Sequence, residues 1–171
     1  LLHCDFGISY LTLNTDCQEL AYVLKPEETK APLFLENALA EGNAVQDHLT
    51  QNYVAGKTGN EILKKSISDS KADGLTPQIY THPLGFYGHS AGTTIGMWDA
   101  QEGVPGSGEH PLQEETAYAI ELNAKVFIPE WQREVRIMLE ESGYFGVNGF
   151  RYVNGRQKNL LLIGKKETHL E

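Results

Sequence analysis

The chain is 171 residues long, 40% hydrophobic and 22% charged, the size and make-up of one soluble globular domain around a single core. A net charge of −9 with no Lys/Arg cluster excludes recognition through a phosphate backbone, so no nucleic-acid partner is expected. No apolar run approaches the roughly 20 residues that a membrane-spanning helix needs, so no membrane partner is expected either. The opening Leu1-Leu2-His3-Cys4-Asp5 lacks an initiating Met and has neither the basic start nor the apolar core of an export signal. The expectation is a fragment or processed chain, cytoplasmic or exported. Cys4 and Cys17 are too few for a disulfide framework and are expected as two reduced thiols.

Residues 1–24 mix Leu, Tyr, Ile, Thr and Val with polar positions and predict two strands joined near residues 7–10, with Asp5 and Asp16 inside them. On their own these aspartates read more readily as turn or surface residues than as ligands. Pro26 followed by Glu27 and Glu28 reads as a helix start, with acids at the positive end of the dipole. Leu33, Leu35, Leu39, Val45 and Leu49 recur on one face, so this helix is expected to run to about residue 52. Thr58 caps a second helix over about 60–71, closed by Asp73-Gly74. Lys57 beside Gly56 and Gly59 lacks the spacing of a phosphate loop.

Residues 76–81 are expected to be extended and to lead into a bend over 80–92, where Pro83, Gly85 and Gly88 forbid a regular helix. Residues 103–111 read as a loop, with His110 solvated in it. Apolar alternation predicts strands over 116–128 and 134–145, the latter with Val135, Ile137 and Leu139 on one face. Two last strands, 149–153 and 159–163, flank the tight-turn signal Asn154-Gly155. The domain is expected to span 1–164. The charged tail 165–171 is expected to be disordered or expression-derived.

The chemistry concentrates in a few residues. His82 and His89 sit seven residues apart on the rigid bend, where an imidazole is either a hydrogen-bonded structural group or a metal ligand. Glu121, Glu140 and Glu141 lie inside apolar strand runs, and a buried acid must be protonated, paired or bound to a cation. With Asp5 and Asp16 they form a set of oxygen and imidazole donors suited to divalent manganese, iron, cobalt or zinc.

The order and spacing of Asp5, Asp16, Gly88-His89-Ser90-Ala91-Gly92, Ala119-Ile120-Glu121 and the run from Arg136 to Glu141 resembles the pita-bread metallopeptidases. This is the family of methionine aminopeptidase, aminopeptidase P and prolidase, and Xaa-Pro peptidases are its nearest branch. The resemblance implies an α+β fold: a curved antiparallel sheet with the ligands on its concave face and the helices on its outer face, the N-terminal part of the fold being absent.

It further implies two divalent ions, Mn2+ first among Mn2+, Zn2+, Co2+ and Fe2+. Asp5 would bind one ion, Asp16 and a distal glutamate would bridge both, and His89 with Glu121 would complete the other. A strand can turn only one of Glu140 and Glu141 to the metals, and Glu141 is the expected one, with Glu140 as its alternative. The ions would lower the pKa of a bridging water, Glu121 would take its proton, and a short proline-containing peptide would be cleaved. The family's second imidazole, seven residues after the ligand histidine, would fall on Gly96, leaving His82 as the candidate for substrate contact or proton transfer. Family members often form homodimers. The alternative reading is a catalytically silent pita-bread module that binds peptide or protein partners.

Overall fold

The structure, a computed structural model, describes residues 1–164; the expected tail, 165–171, lies outside the described residues. Its strands are β1 (Leu2–Phe6), β2 (Ser9–Tyr10), β3 (Leu13–Asn14), β4 (Cys17–Val23), β5 (Pro77–Ile79), β6 (His82–Pro83), β7 (Thr116–Ile128), β8 (Arg133–Gly146), β9 (Gly149–Tyr152) and β10 (Leu161–Ile163). Two α-helices, α1 (Leu33–Gln51) and α2 (Gly59–Ala72), lie between β4 and β5.

The long hairpin of β7 and β8 organises the fold. It is paired from Thr116↔Phe145 to Ile128↔Arg133, as the apolar alternation of both segments predicts. The main sheet runs β1-β4-β8-β7-β5, with β6 added to β7, β9 to β8 and β10 to β4. Every pairing in it is antiparallel except β10 with β4. β4 meets β8 only at Gln18↔Glu140.

One face of this hairpin carries the core. Ile120, Leu122, Ala124, Ile137 and Leu139 are buried together with Leu35, Leu39, Val45 and Leu49 of α1. Burying each such side chain contributes roughly 1.5–3 kcal/mol. Gly42 lets α1 approach: a Cβ there would lie 2.8 Å from Ile137 Cγ2 and 2.9 Å from Leu139 Cδ1. The helices therefore cover the Ile137/Leu139 face, and alternation sends Met138 and Glu140 to the other.

α2 begins as the sequence predicts, with Thr58 and Glu61 forming a reciprocal capping box. α1 does not: it starts at Leu33, not near Pro26. The Lys25 and Tyr22 donors both bond Glu28 Oε2, and Glu28 N–H returns to the Lys25 carbonyl, closing a separate turn. Ala31, preceding Pro32, is biased away from the helical region, so the helix begins only after that proline. The 1–24 segment holds the two expected strands, but a small ribbon of β2 and β3 stands between them, turned through Leu11 and Thr12 at positive φ. Asn154-Gly155 bends the chain without making a hairpin, because β9 joins β8 whereas β10 joins β4. Cys4 and Cys17 are free thiols. Among the described residues no helix is long and apolar enough to cross a membrane.

Candidate metal centre

On the sheet face away from α1, Glu121 of β7 and Glu140 of β8 are direct cross-strand partners. Like charges placed so repel one another and cost stability unless something cationic or hydrogen-bonding stands between them. β6 brings that group in. His82 pairs with Ala119, two residues from Glu121, so its ring lies on the same face. His82 Nε2 is 3.6 Å from Glu121 Oε2, 3.6 Å from Glu140 Oε1 and 4.0 Å from Asp16 Oδ2. Its other nitrogen, Nδ1, lies 3.1 Å from the Pro83 carbonyl, a contact that needs the proton on Nδ1 and leaves the Nε2 lone pair facing the acids in the neutral ring.

Asp16, just ahead of β4, and Asp5, on β1, close the group. Among the described residues, three sets of side chains hold ligand atoms within 4.8 Å of one another: Asp16/His82/His89, His82/Glu121/Glu140 and Asp5/Asp16/Glu140. His82 Nε2 and Glu140 Oε1 are buried without a hydrogen-bond partner. Orphaned buried polar atoms of complementary type are costly. An oxygen-and-imidazole set of this kind fits a divalent cation.

The titration behaviour has the same origin. Burial pushes Glu140 up to about 7, and it also raises Asp16. For His82 burial acts downward, but the facing Glu121 and Glu140 carboxylates outweigh it and hold the imidazole up at about 10. The acids thus draw a proton onto His82, and a cation entering the cluster would displace it.

His89 is placed differently. Its side chain is 76% exposed, its ring stacks on His82 at 3.9 Å between centroids and 13° between planes, and its Nε2 is 3.8 Å from Asp16 Oδ2. Of the two histidines, His82 is the imidazole among the carboxylates, and His89, the expected ligand, is the outer one. Counted from His82, the second imidazole seven residues on is His89 itself. At Gly96 the backbone itself calls for glycine. Its φ is +73°, and a Cβ there would meet the Ile79 carbonyl at 2.1 Å, so close backbone packing requires glycine.

Of the two candidates Glu141 and Glu140, only Glu140 faces the cluster. Glu141 points to the opposite face, where its Oε1 accepts a 2.6 Å bond from the Gln157 backbone N–H, and Glu140 takes the place in the cluster. Sequence reading missed one participant, Gln18. It is fully buried, and its Nε2 donates to Glu121 Oε1 at 2.7 Å and to Glu140 Oε2 at 3.1 Å. The signal was its place two residues after Asp16, entering a strand. A cleft of about 710 Å³ opens beside the cluster, lined by Tyr80, His89, Met97, Trp98, Asn123 and Arg136 among others.

No protein-family model and no curated protein matches the chain in sequence. Solved structures do match in fold. The chain is similar to an X-Pro aminopeptidase from Thermotoga maritima (TM-score 0.64, 15% identity), covering 93% of this chain and 40% of that one. It is also similar to a methionine aminopeptidase from Rickettsia prowazekii (TM-score 0.62, 12% identity; 88% and 62% covered). A third match is the N-terminal domain of FACT complex subunit SPT16 from chickpea, Cicer arietinum (TM-score 0.64, 12% identity; 92% and 36% covered). The fold is that of the pita-bread proteins, an α+β arrangement shared with metallopeptidases, and the chain spans about 40% of the length of the X-Pro aminopeptidase.

Proposed function

We propose that this chain carries the metal-ligand portion of a metal-dependent exopeptidase that hydrolyses short peptides, with Xaa-Pro bonds as its substrate class. The observation that carries the reading is the facing pair Glu121 and Glu140 with His82 Nε2 set 3.6 Å from an oxygen of each. His82, Glu121, Glu140 and Asp16 would hold one divalent cation, and Asp5, Asp16 and Glu140 a second, manganese being the first candidate. Bound there, two cations supply Lewis-acid polarisation of the scissile carbonyl and acidify water.

The remaining chemistry belongs to the chain. Glu121 lies within reach of the reacting centre and can accept a proton in hydrolysis. His89, outside His82 and facing the cleft, is placed to hydrogen-bond a peptide carbonyl. Tyr80, Met97 and Trp98 give that cleft an apolar wall suited to a proline ring or other small apolar side chain. Hydrolysis of Xaa-Pro dipeptides and tripeptides by the Mn2+-loaded full-length parent, lost in Asp16→Asn, is the expected result; the 171-residue portion alone need not be active.

A second reading has its own support: the likeness in fold to a FACT complex subunit domain is as high, by TM-score, as that to the aminopeptidase. On that reading the cleft binds a peptide or protein partner without cleaving it. Mn2+ uptake with no hydrolysis of any Xaa-Pro peptide by the full-length parent would decide for the binding module.

A further inference from the structure

Gln18 has no place in the ligand set, yet it hydrogen-bonds both of the facing glutamates. Its side chain is fully buried, and its amide nitrogen lies between the two facing glutamates, 2.7 Å from Glu121 Oε1 and 3.1 Å from Glu140 Oε2. Ionised carboxylates only accept hydrogen bonds, so the amide must present its NH2 to them, one hydrogen to each. Its carbonyl oxygen is thereby turned to His3 Nε2 at 2.9 Å, which must carry the proton. The chain of donation runs from His3 through Gln18 to both glutamates.

This arrangement divides the oxygens of the pair. Glu121 Oε1 and Glu140 Oε2 are held by Gln18, whereas Glu121 Oε2 and Glu140 Oε1 are turned to His82 Nε2. The amide screens two like charges without adding a charge of its own. It also fixes the two free oxygens around one point, the position at which a single cation would meet His82. Glu140 belongs as well to the group with Asp5 and Asp16. A carboxylate that bridges two cations gives one oxygen to each. With Oε1 turned to His82, the oxygen left for a second cation is Oε2, the one Gln18 already occupies.

We infer that Gln18 is the positioning residue of this centre: it preorganises Glu121 and Glu140 for one cation at His82 and competes with a second cation at Asp5 and Asp16. The inference rests on the cation reading given above, and it makes the two cation positions unequal for a reason that lies in one side chain. Partners of this kind, one bond removed from the metal, change affinity by roughly 10–100-fold when lost.

Titration of the 171-residue chain with Mn2+ by calorimetry tests it, comparing wild type with Gln18→Leu and, as a second apolar substitution of similar length, Gln18→Met. Wild type is expected to take up one ion tightly and a second at least about tenfold more weakly. In either variant the first ion binds about 10–100-fold more weakly while the second binds no more weakly than before, so the gap narrows. Parallel weakening of both ions, or no change in either, would overturn the role of Gln18 and leave the cation reading standing. A wild-type chain that binds no Mn2+ would overturn both.

Discussion

Glu140 and Glu141 are neighbours in one strand, both buried, and burial pushes each carboxyl up to about 7. By those measures they are the same residue twice. What differs is what their oxygens meet. Glu140 shares its face with Glu121, Asp16 and His82, and its Oε1 has no hydrogen-bond partner. Glu141 lies on the other face beside Glu19 and Arg156, and its Oε1 accepts the Gln157 N–H of the segment leading to β10. A raised carboxyl thus marks burial, not function. The mark of the candidate site is convergence: several acceptor-rich side chains and a buried imidazole from β1, the entry to β4, β6, β7 and β8, with complementary atoms left unpaired.

The largest expected effect comes from removing the imidazole at the centre of that convergence. His82→Ala should lower Mn2+ affinity by more than about 100-fold, because it deletes the buried imidazole that faces both glutamates. Elemental analysis after dialysis against Mn2+ measures it, and retention of wild-type metal content would break the comparison at its stronger side. Glu140→Gln follows, with an expected loss of about 10–100-fold in affinity read by the same assay. An equal loss in Glu141→Gln would mean that the two faces are not chemically distinct after all.

Much of this was legible in the sequence, and what was not has physical causes. The β7–β8 hairpin and the Thr58 cap follow from alternation and capping chemistry that act within a few residues. The acids of the site could be named because apolar strands flank them. Parity even contained the answer for Glu140: Val135, Ile137 and Leu139 define the helix-facing side, Glu141 shares their parity, and Glu140 does not. The placing of His82 inside and His89 outside is of another kind. A seven-residue spacing reads alike from either end, and only the long-range pairing of His82 with Ala119 decides which ring enters the sheet. Gln18 was hidden for the same reason, since its partners lie more than a hundred residues away.

His89→Ala sharpens the assignment with a smaller change. Because the ring is largely exposed and meets the cluster from outside, stacked on His82 and 3.8 Å from Asp16, Mn2+ affinity should fall by no more than about threefold. Peptide hydrolysis, if the chain performs it, should fall further than binding does. A loss of metal as severe as that of His82→Ala would reverse the two histidines.

The smallest effect belongs to the quiet side of the comparison, and its direction depends on pH. A carboxyl whose folded-state pKa is raised, from the ordinary 4.5 to about 7 for Glu141, binds its proton more tightly in the folded chain. Its contribution to stability is therefore fully present below about 4.5 and is lost as pH rises through about 7. Glu141→Gln keeps the shape and an acceptor for the Gln157 N–H but never carries the charge. Chemical denaturation of metal-free protein should find the variant close to wild type at pH 5 and more stable at pH 8, by on the order of 1 kcal/mol. Mn2+ uptake should not change. A variant less stable at pH 8 would mean that the ionised carboxylate is held by more than one backbone N–H, with Arg156 the nearest cation able to do it, and that the face opposite the cluster is built to keep a charge.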